Sequence, residues 1–184
     1  SNNAAELLIF TDHHQVYKCK ASEFTDAKAS ILGEFLPQRL GFDAGEVPVA
    51  MFATHDYSGQ LVFFFANGKA VRVPLNAYET KQNRRKLINA YSDVSPLISV
   101  YLIREEAEFL LRSSNHRYLL LNSSLIPEKI TRSANGVTVL SLKAKNTVES
   151  AEPYQAGTFV KPDGYRVNTI PVSGFMLKEA DKKK

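Results

Sequence analysis

The sequence contains a single cysteine and no long apolar run, and both features restrict what the protein can be. Cys19 cannot form an internal disulfide, and its place in a strand pattern favours a buried, inert thiol. No window approaches the roughly 18 uninterrupted apolar residues of a membrane helix, and residues 1–5 resemble a tag or linker rather than a signal peptide. We therefore expect a protein of the reducing cytoplasm with no membrane partner.

The sequence motifs of common enzyme classes are also missing. We find no Gly-rich phosphate loop, no Cys-x-x-Cys, no His-Glu-x-x-His and no Gly-x-Ser-x-Gly. His13 and His14 are adjacent on a predicted turn, so they do not indicate a shared metal ion. Glu105, Glu106 and Glu108 have no partner acid or base nearby and are interpreted as a solvated surface. The sequence predicts no catalytic residue, metal, cofactor or small-molecule substrate in this chain.

A β-hairpin cassette, in contrast, occurs three times, at residues 7–20, 61–74 and 109–122. Its turn centres His14, Gly68 and His116 are 54 and then 48 residues apart. A period near fifty with β-type content is typical of propeller blades and similar arrays. Each unit of such an array buries its apolar face only by packing on its neighbours. We therefore expect an all-β array of four-stranded blades.

Each unit has the same order of parts, namely a hairpin, a polar connection and a closing strand. Asn67-Gly68 predicts a type I′ turn, which needs positive φ at both central residues. The predicted connections cover 25–34, 79–95 and 127–136, and the closing strands cover 47–52, 97–102 and 147–150. The units are placed at 6–58, 59–106 and 107–156. A strand pair within 157–178 is expected to close the array, and 179–184 to form a disordered basic tail.

Positive charge is concentrated in the middle of the chain. The whole chain has a net charge of +4, but residues 69–145 contain thirteen Lys and Arg against six Asp and Glu. Lys18 and Arg72 occupy the same position in successive hairpins, where the third hairpin has Leu120. Equivalent positions of an array fall on one rim, which suits a phosphate backbone. The predicted DNA-binding residues are Lys18, Lys20, Lys69, Arg72, Lys81, Arg84, Arg85, Lys86, Arg117, Arg132, Lys143 and Lys145.

Several segments resemble one known family. They are Leu7–Thr11 with Val16–Lys20, Gly45–Val49, Ala66–Leu75 and the Arg-x-x-x-Gly-Val pattern of Arg132–Val137. Over about residues 6–155 the chain resembles the repeats in the C-terminal domain of the A subunits of DNA gyrase and topoisomerase IV. The resemblance implies a β-pinwheel, in which neighbouring blades exchange strands and DNA bends around a basic outer rim.

The resemblance also implies a role within a larger enzyme. In this family the domain is not catalytic and presents a DNA segment to the cleavage-reunion core of the A subunit. The expected partners are duplex DNA, the remaining A-subunit domains and the ATPase B subunit, which would use ATP and Mg²⁺ elsewhere. The expected location is the bacterial nucleoid in the cytoplasm. Only three clear units are present, and Pro37–Gly41 is too weak a match for the gyrase box. In gyrase that box lies before the region where this chain begins, so a box upstream and a missing box both stay open. Its absence from this sequence favours a topoisomerase IV-like role.

The sequence therefore predicts sequence-independent binding and bending of duplex DNA. Bending a site of 20–30 base pairs costs about 1–6 kcal/mol, which phosphate contacts must offset. Four to six contacts predict a slope of about −4 to −5 for the logarithm of affinity against the logarithm of salt concentration. A protein-interaction propeller remains an alternative and would be favoured by cations scattered over both faces. An enzyme or ligand-binding module with a central pocket is a poorer alternative, because no His, Cys or carboxylate set converges.

Overall fold

The computed structural model describes residues 5–21, 40–80 and 85–182, and the strands in these ranges form three four-stranded antiparallel sheets. The predicted all-β fold is thus confirmed. Each sheet is built on one of the three hairpins, and we call the sheets blades 1, 2 and 3. Within the described ranges, no helix is long and apolar enough to cross a bilayer.

Every blade has the same strand order, in which the closing strand lies beside the first hairpin strand and a short strand lies beside the second. Blade 1 consists of β1 (Glu6–Thr11), β2 (Val16–Lys20), β3 (Pro48–Thr54) and β6 (Lys86–Leu87). Blade 2 consists of β4 (Gln60–Phe65), β5 (Lys69–Pro74), β7 (Leu97–Ile103) and β10 (Val137–Thr138). Blade 3 consists of β8 (Glu108–Ser113), β9 (Arg117–Asn122), β11 (Val148–Pro153) and β12 (Phe175–Met176).

The fourth strand of each blade comes from a later part of the chain. The second connection supplies β6 to blade 1, the third connection supplies β10 to blade 2, and the C-terminal segment supplies β12 to blade 3. The exchange therefore always runs backwards, from one unit to the blade before it. No unit completes its own sheet, so folding of each blade depends on the segment that follows it.

The three hairpins superpose in the register that the sequence predicts. Lys18, Arg72 and Leu120 face Leu8, Val62 and Leu110 across their hairpins. The turns close in the same way, because the amides of His14, Gly68 and His116 donate to the carbonyl three residues earlier at 3.2, 3.1 and 3.0 Å.

The turn type differs from the prediction. Positive φ occurs only at the last turn residue, with values of 60° at His14, 87° at Gly68 and 63° at His116, while Asn67 keeps a negative φ. This is a type I turn that ends in a left-handed residue, the usual form of a longer hairpin loop. Among the three hairpin turns, only the one at residue 68 requires glycine, because a Cβ there would lie 2.2 Å from the carbonyl oxygen of Leu140.

The hydrophobic core lies between the blades. Blades 1 and 2 share a cluster that is rich in aromatic rings, including Phe10, Phe63 and Tyr91. Blades 2 and 3 share a second cluster that includes Phe64 and Phe109, whose ring centroids are 5.0 Å apart. The apolar faces are buried by neighbouring blades, as expected for an array whose units cannot fold separately.

The C-terminal segment does not form the predicted strand pair. Pro162–Tyr165 is a 3₁₀ turn, and β12 pairs singly with β9. A proline at the start of the turn fixes a φ that suits this conformation. Phe159 stacks on Tyr165 with ring centroids 4.0 Å apart, and both rings pack with Leu120. Burial of these rings therefore fixes the segment without a second strand.

The predicted disorder of 179–184 is also wrong for the described part of that range. Glu179–Asp181 forms a 3₁₀ turn, and Asp181 is buried. Its carboxylate accepts hydrogen bonds from the Tyr165 hydroxyl at 2.6 Å and from the Val160 amide at 2.9 Å. The three lysines that follow Asp181 suggested a basic tail, and nothing in the sequence signals the burial of Asp181. We call 157–182 the C-terminal cap, because it covers the face of blade 3 that points away from blade 2.

Candidate nucleic-acid interface

Lys18, at the equivalent position of the first hairpin, points into the protein rather than onto an exposed rim. Lys18 is only 6% exposed. Its Nζ donates to Thr80 Oγ1 at 3.1 Å and lies 5.3 Å from the centre of the Tyr57 ring. Burial lowers the pKa of Lys18 from its ordinary value, although the nearby Glu6 and Glu79 carboxylates act in the opposite direction. Lys18 therefore links blade 1 to the second unit.

Arg72, at the equivalent position of the second hairpin, also bonds to other parts of the protein. Arg72 Nε donates to the Ile126 carbonyl at 2.6 Å, and Nη1 donates to Gln60 Oε1 at 2.9 Å. Its backbone amide donates to the Pro127 carbonyl at 3.1 Å. The equivalent Leu120 is 1% exposed beneath the C-terminal cap. The expected exposed strip through these three positions is wrong, because each position faces the segment that arrives from the next unit.

Arg132 is a third internal cation. Its guanidinium donates to the Ala77 carbonyl at 2.9 Å and lies 6.0 Å from the centre of the Tyr78 ring. Nε is buried without a hydrogen-bond partner. Arg132 therefore fastens the third connection to the end of β5, and Lys18, Arg72 and Arg132 all join units.

The cations of blade 1 are divided between the two faces of its sheet. Lys86 lies 3.7 Å from Asp43 Oδ1 and 5.7 Å from the centre of the Tyr17 ring. Tyr17 and Lys18 are neighbours on one strand, so their side chains point to opposite faces. Lys20 is exposed at the end of β2 that is farther from the turn, and Arg85 is exposed beside β6. The predicted residues Lys81 and Arg84 lie outside the described residues.

The remaining predicted cations lie together at the hairpin turns of blades 2 and 3. The Gly68 carbonyl accepts hydrogen bonds from the amides of Val139 and Leu140 at 2.8 and 3.2 Å, which places the start of segment 139–146 against the blade 2 turn. Ser114 Oγ donates to Asn146 Oδ1 at 3.0 Å, which joins the same segment to the blade 3 turn. We call the cations on this surface the turn-end set: Lys69, Arg117, Lys143 and Lys145.

The surface around the turn-end set is mainly positive. Three of the segments that form it, 66–70, 113–118 and 137–147, contain no Asp or Glu. A fourth segment, 92–96, accepts a hydrogen bond from the Asn67 amide through Ser95 Oγ at 3.0 Å and adds the single carboxylate of Asp93. Lys143 and Lys145 are exposed, and Lys69 and Arg117 are half-exposed. The potential of such a surface is positive over a distance of about a Debye length, roughly 8 Å at physiological salt. The arrangement can bind an extended polyanion.

The opposite end of blades 2 and 3 is acidic. A cavity of about 390 Å³ lies there, and its charged lining consists of three glutamates and two arginines. One of the arginines, Arg72, is held by the hydrogen bonds described above, and Gln60 bonds Glu128 across the cavity. The charged lining residues are Arg72, Arg104, Glu105, Glu106 and Glu128. Glu105 and Glu106 of the predicted solvated acidic surface thus lie at the end away from the turns. Glu108 differs from the prediction, because its carboxylate accepts hydrogen bonds from Arg166 at 2.8 and 3.1 Å.

The turn end of blade 1 differs from those of blades 2 and 3, because a buried carboxylate is at its centre. Glu46 is 5% exposed. It accepts hydrogen bonds from Tyr17 at 2.7 Å, from Gln15 and the Asp43 amide at 2.8 Å each, and from Thr11. Burial alone would raise the pKa of Glu46, but these bonds outweigh it and lower the pKa below its ordinary value. Glu46 remains charged and holds the first connection on blade 1.

The same corner contains the one trio of possible metal ligands within the described residues. One donor atom each of His13, Asp43 and Glu46 lies within 4.8 Å of the others. The Glu46 oxygens already accept four protein hydrogen bonds, and Lys86 lies beside Asp43. These protein contacts offset part of the negative charge of the two carboxylates.

Known proteins share this architecture. No family model matches the chain. The A subunit of DNA gyrase from Streptomyces coelicolor is 28% identical over 166 residues, which is 84% of this chain and 19% of that protein. The crystal structure of the C-terminal domain of DNA topoisomerase IV has a TM-score of 0.68 at 20% identity, covering 86% of this chain and 50% of that one. The chain is a β-pinwheel.

Two further pinwheels support the assignment. A DNA gyrase A C-terminal domain has a TM-score of 0.55 at 15% identity, over 83% of this chain and 49% of that one. The E. coli ParC C-terminal domain has a TM-score of 0.58 at 11% identity, over 84% and 58%. The resemblance predicted from the sequence is confirmed. This pinwheel spans about half the length of the solved domains and about a fifth of the gyrase protein.

Two features of the pinwheel were missed at the level of sequence. The Glu46 cluster was not foreseen, because a glutamate in a connection is ordinarily exposed. The separation of charge between the two ends of the blades was also missed. A count of acidic residues in each turn segment would have found it, because three of these segments contain none.

Proposed function

We propose that this pinwheel binds duplex DNA without sequence preference, through the turn-end set of blades 2 and 3. The observation that carries the proposal is four exposed or half-exposed cations at the turns of blades 2 and 3, in segments that themselves contain no carboxylate. Lysine and arginine contacts to phosphates fix a protein on DNA and carry no sequence information. The gyrase and topoisomerase IV domains that share the fold support a role in DNA handling.

In the proposed role, the chain acts within a larger type IIA topoisomerase. The pinwheel presents a bent DNA segment to the cleavage-reunion core of the enzyme, and an ATPase B subunit drives the change of topology with ATP and Mg²⁺. A topoisomerase IV-like role is supported by the TM-score of 0.68 to the topoisomerase IV domain, against 0.55 to the gyrase domain. The protein would then act at the nucleoid of the bacterial cytoplasm and contribute no catalytic residue.

A salt titration of binding to linear duplex DNA tests the proposal. Four phosphate contacts predict a log–log slope of about −3.6, slightly shallower than the sequence suggested, because several of the predicted cations are internal. Affinity should then fall by about 10²-fold between 50 and 200 mM salt. A slope near zero would contradict DNA binding by phosphate neutralisation.

A charge-neutral variant locates the contacts. Replacement of Lys69, Arg117, Lys143 and Lys145 by Gln should remove most of the slope, because each lost contact reduces it by about one. The matched control replaces Arg104 and Lys129, exposed cations at the acidic end, by Gln. The control should keep the slope. If the control loses the slope and the turn-end variant keeps it, the interface has been assigned to the wrong end.

One observation favours the protein-interaction alternative. Lys18 and Lys86 lie on opposite faces of blade 1, so the cations of this blade are not aligned as a DNA rim requires. A pinwheel that only docks proteins would show weak DNA binding that the turn-end variant does not alter. The titration therefore separates the two functions.

A further inference from the structure

Two equivalent clefts lie at the edges of the sheets, one between blades 1 and 2 and one between blades 2 and 3. One wall of each cleft is the chain at the end of the short exchanged strand, residues 88–91 and 138–141. The other wall is the chain that follows a parallel bridge to the hairpin, residues 128–134 and 166–172. The two walls of a cleft therefore come from different parts of the chain.

The cleft between blades 2 and 3 is closed by main-chain hydrogen bonds. Val172 donates to the Val139 carbonyl at 3.2 Å and accepts from the Ser141 amide at 2.7 Å. Val172 also forms a parallel bridge with Leu140, which is fully buried. A short apolar stretch of chain, residues 170–172, thus seals this cleft.

The cleft between blades 1 and 2 is open. Ala134 is equivalent to Val172, because both lie six residues after their parallel bridge, but its amide donates to the Thr131 carbonyl of its own turn at 3.1 Å. Within the described residues, no main-chain hydrogen bond joins 88–91 to 128–134. A cleft of about 400 Å³ remains. Its lining residues are Ile88, Asn89, Ile130, Thr131, Arg132 and Ser133.

The open cleft offers two large apolar side chains and main-chain groups beside them. Ile88 is 63% and Ile130 is 79% exposed. Lys129 bonds to the second hairpin, so the amide and carbonyl of Ile130 point away from that hairpin. Leu87 pairs with the first hairpin, so those of Ile88 likewise point away from it. An extended chain can bond to such groups, as in strand addition to a sheet edge.

The lining also contains one cation whose hydrogen bonds are incomplete. Arg132 Nη1 donates to the Ala77 carbonyl at 2.9 Å, but Nε is buried without a partner, and no described carboxylate forms an ion pair with the guanidinium. A buried donor without an acceptor is costly, and more so when it is charged. A carboxylate is the acceptor that best matches a guanidinium. A carboxylate in the open cleft would therefore supply the missing partner.

We infer that the open cleft binds an extended peptide segment of another protein, in which apolar side chains alternate with carboxylates. The peptide takes the place that residues 170–172 take in the closed cleft. Its apolar side chains pack on Ile88 and Ile130, and a carboxylate bonds to Arg132. Alternation suits this division, because successive side chains of a strand point to opposite faces. The inference uses none of the turn-end cations and does not depend on DNA binding.

Duplex DNA fits this lining less well than a peptide does. A phosphate backbone is bound by several spaced cations, and binding grows with their number. Among the six described lining residues only Arg132 is charged, whereas Ile88 and Ile130 are exposed apolar groups. The chemistry of the cleft thus differs from that of the turn-end set.

The binding of labelled peptides to the complete chain tests the inference. The probe is a fluorescent hexapeptide in which valine and glutamate alternate, and a matched hexapeptide has glutamine in place of glutamate. Fluorescence anisotropy is measured at about 0.15 M salt, where attraction by distant cations is screened. The glutamate peptide should bind with a Kd below about 1 mM. The glutamine peptide should bind at least tenfold more weakly.

Two variants with the same change of charge locate the site. Ile130→Glu should weaken binding of the glutamate peptide at least tenfold, because it removes an apolar contact and adds a like charge. Val94→Glu is the matched control, at a residue that is 63% exposed and outside the lining, and should bind as the unchanged chain does. In Arg132→Gln the glutamate and glutamine peptides should bind equally, because the guanidinium that distinguishes them is gone.

Each outcome decides the inference. A preference for the glutamate peptide that Ile130→Glu removes and Val94→Glu keeps supports it, even if Arg132→Gln fails to fold. Absence of saturable binding up to about 1 mM overturns it. Equal binding of the two peptides to the unchanged chain, or binding that Ile130→Glu leaves intact, also overturns it. If the peptides do not bind and Ile130→Glu instead weakens binding of a DNA duplex tenfold, the cleft belongs to the DNA interface and the inference is wrong.

Discussion

Blades 1 and 3 share a backbone but differ in what covers the same hairpin position. Lys18 and Leu120 have the same register, and both are almost fully buried. Lys18 meets Thr80 and a tyrosine ring from the chain that leads into blade 2, so its ammonium finds partners. Leu120 meets the aromatic rings of the C-terminal cap. The residue at this position thus reflects the segment that covers it rather than a ligand outside the protein.

The turn ends of the same two blades differ in charge. Blade 1 has Asp12, Asp43 and Glu46 around its turn, and the Glu46 carboxylate binds four donors of its own blade. Blade 3 has Arg117 at its turn, next to the basic segment 143–145. A repeated fold therefore holds a stabilising anion in one unit and offers cations to a ligand in another. Position in the repeat alone does not determine function.

The largest difference in stability between the two blades should appear when an aromatic ring that covers each of them is removed. Phe159 is 6% exposed and stacks on Tyr165. Phe159→Ala should lower the free energy of unfolding by about 3–5 kcal/mol, as for other buried Phe to Ala changes. Phe42→Ala, a matched change at a half-buried ring that contacts Tyr17 of blade 1, should cost less. Urea unfolding measures both, and equal losses would show that the two ends of the array are equally well covered.

The sequence predicted the hairpins, their period and the closing strands, because these depend on local turn chemistry and on alternating apolar residues. It did not predict where Lys18, Arg72 and Arg132 point. Their direction depends on which distant segment arrives beside each hairpin, as Thr80 does for Lys18 and Ile126 does for Arg72. The cap was mistaken for a strand pair because burial of Phe159 and Tyr165 is a tertiary effect with no periodic signal.

A smaller loss of stability is expected when the buried carboxylate of blade 1 is removed. Glu46→Gln should lower the free energy of unfolding at pH 7 by about 2 kcal/mol, because hydrogen bonds to a charged group are worth roughly 1.5–3 kcal/mol. The pKa of Glu46 is lower in the folded than in the unfolded protein, so its stabilisation is present above about pH 4.5, the ordinary value. It is lost as the pH falls through the folded pKa.

Urea midpoints measured between pH 7 and pH 3 test this prediction. The variant should show a weaker loss of stability with acid than the unchanged protein. Glu149→Gln on blade 3 is the control, because Glu149 is exposed and its ion pair with Arg112 at 3.3 Å is worth at most about 1 kcal/mol. A Glu46 variant with the full acid dependence would show that other carboxylates cause it.

The smallest change in stability should follow from Lys18→Leu, which gives blade 1 the residue that blade 3 has at the equivalent position, Leu120. The change removes a hydrogen bond and a cation–ring contact, but it also removes the cost of burying an ammonium group, which is the main reason why the pKa of Lys18 is lowered. Replacing buried charges by apolar residues of similar volume is often neutral, so we expect a change within about 1 kcal/mol. DNA affinity should change less than about twofold, because a 6% exposed side chain contributes little to phosphate neutralisation. A tenfold loss of affinity with unchanged stability would return Lys18 to the DNA interface and remove the distinction between cations that join blades and cations that bind DNA.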